Sequence, residues 1–139
     1  MLSVISDAMD TFIQNALTGN TMQVAWEDVA FDPQTGQPYL DMQLSGYTRT
    51  NTGPGPQTVF VERGSHTITV VWPAGAGKAA ALGEADKIHA LFPRGLTIAL
   101  AGQAPLIIDQ SSVVSPAISD GSWLRVPVNI YWSTSEFGP

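Results

Sequence analysis

The chain has 139 residues, the size of about one domain and long enough to bury a core without disulfide or metal support. It contains no cysteine, which excludes disulfide frameworks, thiolate metal sites and cysteine nucleophiles. Six Lys and Arg against twelve Asp and Glu leave a net charge of −6, a poor endowment for gripping a phosphate backbone, so no sequence-specific nucleic-acid partner is expected.

Charged residues make up only 13% of the chain, where about 25% is usual. Gly, Pro, Ser, Thr and Gln take the place of the missing charge. Such a surface suits partial coverage by other subunits, or equally a neutral, loop-rich exterior, and composition leaves both open. No basic residue precedes Arg49, so no secretory leader is expected. The longest charge-free apolar stretch, residues 95–108, is interrupted by Gly102, Gln103 and Pro105, so no membrane span is expected and the protein should be soluble.

In chain order, Ile5, Ala8, Met9, Phe12, Ile13 and Ala16 share one helical face and predict an amphipathic helix, with Ser3 or Ser6 as its cap and Gly19-Asn20 as its stop. Met22, Val24 and Trp26 then alternate with polar or small residues, the period of a strand. Asp32 to Gly36 has turn chemistry, and Leu40, Met42 and Leu44 mark a second strand. Residues 51–57 hold too much Gly and Pro for regular structure and predict a projecting loop. Residues 58–61 and 66–72 read as a hairpin about a turn at Glu62-Arg63-Gly64-Ser65. A second helix is predicted over residues 76–92, with Ala81, Ala85, Ile88 and Phe92 as its apolar stripe and Pro93 and Gly95 closing it.

The last third is strand-like at residues 96–100, 106–109 and 123–132. In the final run Leu124, Val126, Val128, Ile130 and Trp132 face one way and Arg125, Asn129 and Tyr131 the other, while Pro127 marks an edge or a bulge. A flexible tail is expected from about residue 133 to 139. The order predicts a single α+β domain over residues 1–139, a mixed or antiparallel sheet with an N-terminal and a central helix packed on it.

No motif carries chemistry. The run Pro73 to Lys78 enters a helix from a strand, but Trp72 and Ala79 stand where a phosphate loop needs Gly and Ser or Thr. His89 has no ligand-type residue four positions away, His66 has only Glu62 and no third ligand in register, and Glu27, Asp28 and Asp32 keep no calcium-loop register. Ser111, Ser112 and Ser115 lack a nucleophile elbow. Glu84 and Lys87, three apart on the second helix, form a surface ion pair. Catalytic, cofactor and metal residues are therefore not assigned, and an enzyme is not expected.

Four stretches in order carry a family resemblance: W-E-D-V-A-F-D-P-Q-T-G-Q-P-Y-L at 26–40, T-V-V-W-P-A-G-A-G-K at 69–78, E-A-D-K-I-H-A-L-F at 84–92 and W-L-R-V-P-V-N-I-Y-W at 123–132. The sequence resembles the tail-terminator-like proteins of long-tailed bacteriophages and prophages from about Asp7 to Trp132. The resemblance implies a structural virion protein with an α+β fold, assembled as a hexameric ring. Such a ring caps the tail tube, stops its polymerisation and offers a surface to the head. Its partners would be further copies of itself, the tail tube protein and a head-completion or connector protein, with DNA passing through the ring. The place implied is the virion tail, and the host cytoplasm during assembly.

Candidate assembly contacts are then Asn51, Thr52, Pro54, Pro56 and Gln57 in the loop, and Arg125, Asn129 and Tyr131 on the last strand. The alternatives are a head–tail connector or minor tail protein of similar fold, or a small-ligand-binding domain with a pocket near Trp72 and His89.

Overall fold

The computed structural model describes residues 2–16, 23–26, 31, 36–51, 59–75, 77–100 and 104–137. Their elements are α1 (Leu2–Ala16), β1 (Gln23–Ala25), β2 (Tyr39–Asn51), β3 (Val59–Pro73), α2 (Ala79–Leu91), β4 (Thr97–Ile98), β5 (Leu106–Ile107), β6 (Val113–Val114), β7 (Ile118–Asp120) and β8 (Trp123–Phe137). The two helices and one eight-stranded mixed sheet agree with the α+β reading. No described helix is long and apolar enough to cross a membrane.

Three long strands make the body of the sheet. β2 pairs antiparallel with β3, and β3 with β8 along its full length, from Val59↔Phe137 to Pro73↔Trp123. β1 adds to β2 in parallel, and β4 reaches β8 through β5. The free edge of β8 is taken up piecewise, with Ile107 opposite Ser133, Val113 opposite Asn129 and Ile118 opposite Arg125. Pro127 sits in the gap between β6 and β7. Its carbonyl accepts from the Ser115 N–H at 2.8 Å, and its ring nitrogen, on that same side, needs no acceptor.

Strand periodicity puts alternate residues on the helix-covered face. Leu40, Met42, Ile68, Val70, Val126, Val128, Ile130 and Trp132 are buried there against Ile5, Met9 and Ile13 of α1 and Ala81, Ala85 and Ile88 of α2. Each large apolar side chain so buried stabilises the fold by about 1.5–3 kcal/mol before entropy is counted. Phe92 joins the two helices, its ring 5.2 Å from that of Phe12. Beyond α2 the chain turns through Gly95, whose φ of 93° is a left-handed conformation that a Cβ would strain. Its N–H bonds Ile108 O at 2.7 Å and returns the chain to the sheet.

Two expectations are corrected. Glu62-Arg63-Gly64-Ser65 is no turn: β3 runs through it without a break, paired with Arg49 to Gly46 on one side and Thr134 to Tyr131 on the other. The glycine serves packing. A Cβ on Gly64 would lie 2.5 Å from Cζ2 of Trp132 and also against the Gly46 carbonyl oxygen, so the missing side chain is the space into which the indole fits. Nor does the chain leave the sheet at residue 133, because Ser133 to Phe137 extend β8 and pair with Arg63 to Val59. The hairpin is instead β2–β3; of the loop expected at residues 51–57, Asn51 ends β2 and the rest lies outside the described residues, as do Glu27, Asp28 and Asp32.

Candidate functional site

The face of the sheet turned away from the helices presents the residues singled out on the last strand. Arg125, Asn129 and Tyr131 lie on it because they alternate with buried Val126, Val128, Ile130 and Trp132. Arg125 bonds Asp120 through Nε at 2.9 Å and lies 3.6 Å from Asp41 on β2, so it ties β7 to the opposite side of the sheet. Partial burial works against its positive charge. The Asp120 hydrogen bond and the fields of Tyr39, Asp120 and Asp41 outweigh that and raise its pKa further.

Asn129 is equally engaged within the chain. Its amide oxygen accepts from the Thr67 hydroxyl at 2.9 Å, and its amide nitrogen donates to Ser115 Oγ at 3.2 Å. Tyr131 lines a hollow of about 270 Å³ with Arg63, Ser65, Asp109 and Gln110. Asn51 is the last residue of β2, while Thr52, Pro54, Pro56 and Gln57 fall outside the described residues. The structure therefore brings Arg125, Asn129 and Tyr131 onto one face, and two of the three spend their polar groups on internal bonds.

The same face carries residues that the sequence did not single out. Ile107, Val113 and Ile118 are 40%, 49% and 54% exposed, large apolar side chains left open to solvent. Their partners on β8 are Ser133, Asn129 and Arg125, four residues apart each time and all of one parity. The three therefore line up along the outer face at intervals of about 13 Å, given about 3.3 Å per strand residue. A regular row of exposed apolar side chains on one sheet face is an interaction surface in form. The signal in the sequence is three β-branched residues on separate short segments, whose faces only the pairing to β8 settles.

The helix-covered face changes character along the same strands. Level with Ile130 stands buried His66, and beyond them the buried residues are Trp132, Glu62 and Thr134. Trp132 Nε1 donates to His66 Nδ1 at 2.9 Å, which leaves the imidazole proton on Nε2, since an indole nitrogen can only donate. The Tyr47 hydroxyl donates to Glu62 Oε1, and Thr134 Oγ1 donates to the carbonyls of Ala104 and Pro105, 3.2 Å from each. His89, on the exposed side of α2, shares a hydrogen bond at Nδ1 with the buried hydroxyl of Ser112. These bonds hold elements together. Among the described residues no three His, Asp or Glu side chains converge as metal ligands.

The described residues thus present an exposed apolar row on the outer face and hydrogen bonds that tie the elements together. The sequence profile of the phage tail terminator protein family matches residues 4–132, and the chain belongs to that family. It is a structural tail protein of the bacteriophage type. One solved chain, known by a sequence identifier alone, superposes with a TM-score of 0.75 at 22% identity, over 100% of this chain and 98% of its own. A chain from the virion of a native gene transfer agent particle is similar with a TM-score of 0.59 at 17% identity, over 94% of each. No curated protein matches.

Proposed function

We propose that the protein ends the growth of a phage or prophage tail tube as a ring of six copies and offers the head a docking surface. Membership of the terminator family over residues 4–132 is the observation that carries this reading. The outer-face row Ile107, Val113 and Ile118 supports it, because apolar side chains so placed are stabilised by burial against other protein. So does the low share of charge, 13% of residues, which suits a surface partly covered by neighbours. The work would be mechanical: cover the tube end so that no further tube subunit binds, and leave the lumen open to DNA. An acidic protein, net −6, does not hold passing phosphates. Assembly would take place in the host cytoplasm before the tail joins the head.

The test is arrest of tube growth. Added to its polymerising tube protein, the protein should fix tube length, with rings visible at tube ends by electron microscopy. Light scattering after gel filtration should show a closed species near six subunits. Tubes that reach the same lengths with and without the protein overturn the reading in favour of a head–tail connector, which would bind heads and leave tubes alone.

A further inference from the structure

The apolar row on the outer face is evenly spaced about its middle member. Ile107, Val113 and Ile118 stand opposite Ser133, Asn129 and Arg125, so Val113 has a large exposed apolar neighbour four strand residues away on either side. A two-fold axis lying across the strands at Val113 therefore sets Ile107 of one copy over Ile118 of the other, and Val113 over itself.

Charge obeys the same symmetry. On the Ile107 side of Val113, the hollow of about 270 Å³ carries Arg63, exposed on β3, and Asp109, in the connection from β5 to β6. Neither of these two side chains has an ion pair or a hydrogen bond among the described residues. On the Ile118 side stand Asp41 on β2 and Arg125 on β8, 3.6 Å apart, with Asp120 of β7 bonded to Arg125 from the other side. Across the strands, in the order β2, β3, β8 and β5, the hollow runs from positive to negative and the Asp41–Arg125 pair from negative to positive. The axis that superposes the apolar row thus brings Arg63 of each copy toward Asp41 of the other, and Asp109 toward Arg125.

We infer that two copies of the chain pack outer face to outer face about this axis. Strands of packed sheets stay within about 30° of each other, so the rows of one copy remain over the rows of the other. The contact is isologous and closes at two copies, so it builds no ring. It is separate from the ring reading above and does not rest on it. So paired, copies not yet built into a tail keep the apolar row out of water.

The absence of cysteine makes the axis directly testable. Packed sheets lie about 10 Å apart, too far for a disulfide, so a short bis-maleimide is used to join thiols. Val113→Cys, Ile107→Cys and Ile118→Cys are introduced singly into the full-length protein, treated at equal low concentration and separated under denaturing conditions. Val113→Cys should give at least five-fold more dimer than either of the others, whose thiols lie about 26 Å from their own copies across the axis. Mixed together, Ile107→Cys and Ile118→Cys proteins should cross-link to each other. In the Val113→Cys background Arg63→Asp should lower the yield at least five-fold, while Lys87→Asp, the same charge reversal on α2, leaves it unchanged. Circular dichroism and a thermal melt keep a misfolded variant from being mistaken for a broken contact.

Three thiols that cross-link equally, whether well or poorly, overturn the axis. A Val113→Cys dimer that ignores Arg63→Asp, or that loses as much to Lys87→Asp, overturns the pairing of charges that defines the contact.

Discussion

At the base of the sheet Leu40, Val70 and Val126 stand in one row and Met42, Ile68 and Val128 in the next, all sealed under the helices. Farther along the same strands, on the same face, the rows are Tyr47, Gly64 and Trp132, then Arg49, Glu62 and Thr134. Both regions hold fully buried side chains, Val126 and Glu62 each 0% exposed, although the far end opens to solvent at Arg49. What holds them differs. The base relies on hydrocarbon fit, which is non-directional and tolerates exchange of similar volumes. The far end relies on an indole seated on a glycine and on hydrogen bonds with one acceptable geometry each, where losing a partner exposes the full cost of a buried polar group.

The largest effect expected is Trp132→Ala, about 3–5 kcal/mol for the cavity it leaves. It also removes the donor to His66, so the loss should stand at the top of that range or above it. Ile88→Ala, which empties an apolar site under α2, should cost about 2–5 kcal/mol with no polar penalty. Urea denaturation of both variants measures the comparison directly. It fails if Trp132→Ala proves the milder of the two.

Gly64→Ala sharpens the same contrast with one methyl group. Overpacking against Trp132 and the Gly46 carbonyl should destabilise by about 1–3 kcal/mol, read as a lower denaturation midpoint. A neutral result would mean that the indole is not seated on the glycine. Lys87→Ala gives the baseline for an exposed site. Its 2.9 Å pair with Glu84 has the lysine 74% exposed, so the expected loss is only about 0.3–0.5 kcal/mol.

Much of the base was legible because it obeys simple periods. The stripe Ala81, Ala85, Ile88 and Phe92, the alternation from Leu124 to Trp132, and the Glu84–Lys87 pair all stand where their spacing places them. The far end was misread for a physical reason. A charged pair followed by Gly and Ser resembles a turn, and only the neighbouring strand reveals that Gly64 makes room for an indole. One clue was present: Glu62, Gly64 and His66 keep the parity of Ile68 and Val70, so the alternation never stops. The candidate site was less legible still. Arg125 and Asn129 were placed on the correct face, but their internal partners Asp120, Asp41, Thr67 and Ser115 come from four other parts of the chain.

The placing of β8 also governs when folding can happen. Its closest paired positions, Pro73 and Trp123, are separated along the chain by α2 and four short strands. A β2–β3 hairpin can form in about 1–10 μs from local contacts, but β3 lacks its second neighbour until Trp123–Phe137 has been made. At about 5–20 residues per second, translation keeps the nascent sheet open for seconds. A chain cut short before Trp123 is expected to lack the centre of its core, so truncated products should be degraded rather than assembled. The last strand made is thus the one on which the centre of the sheet waits.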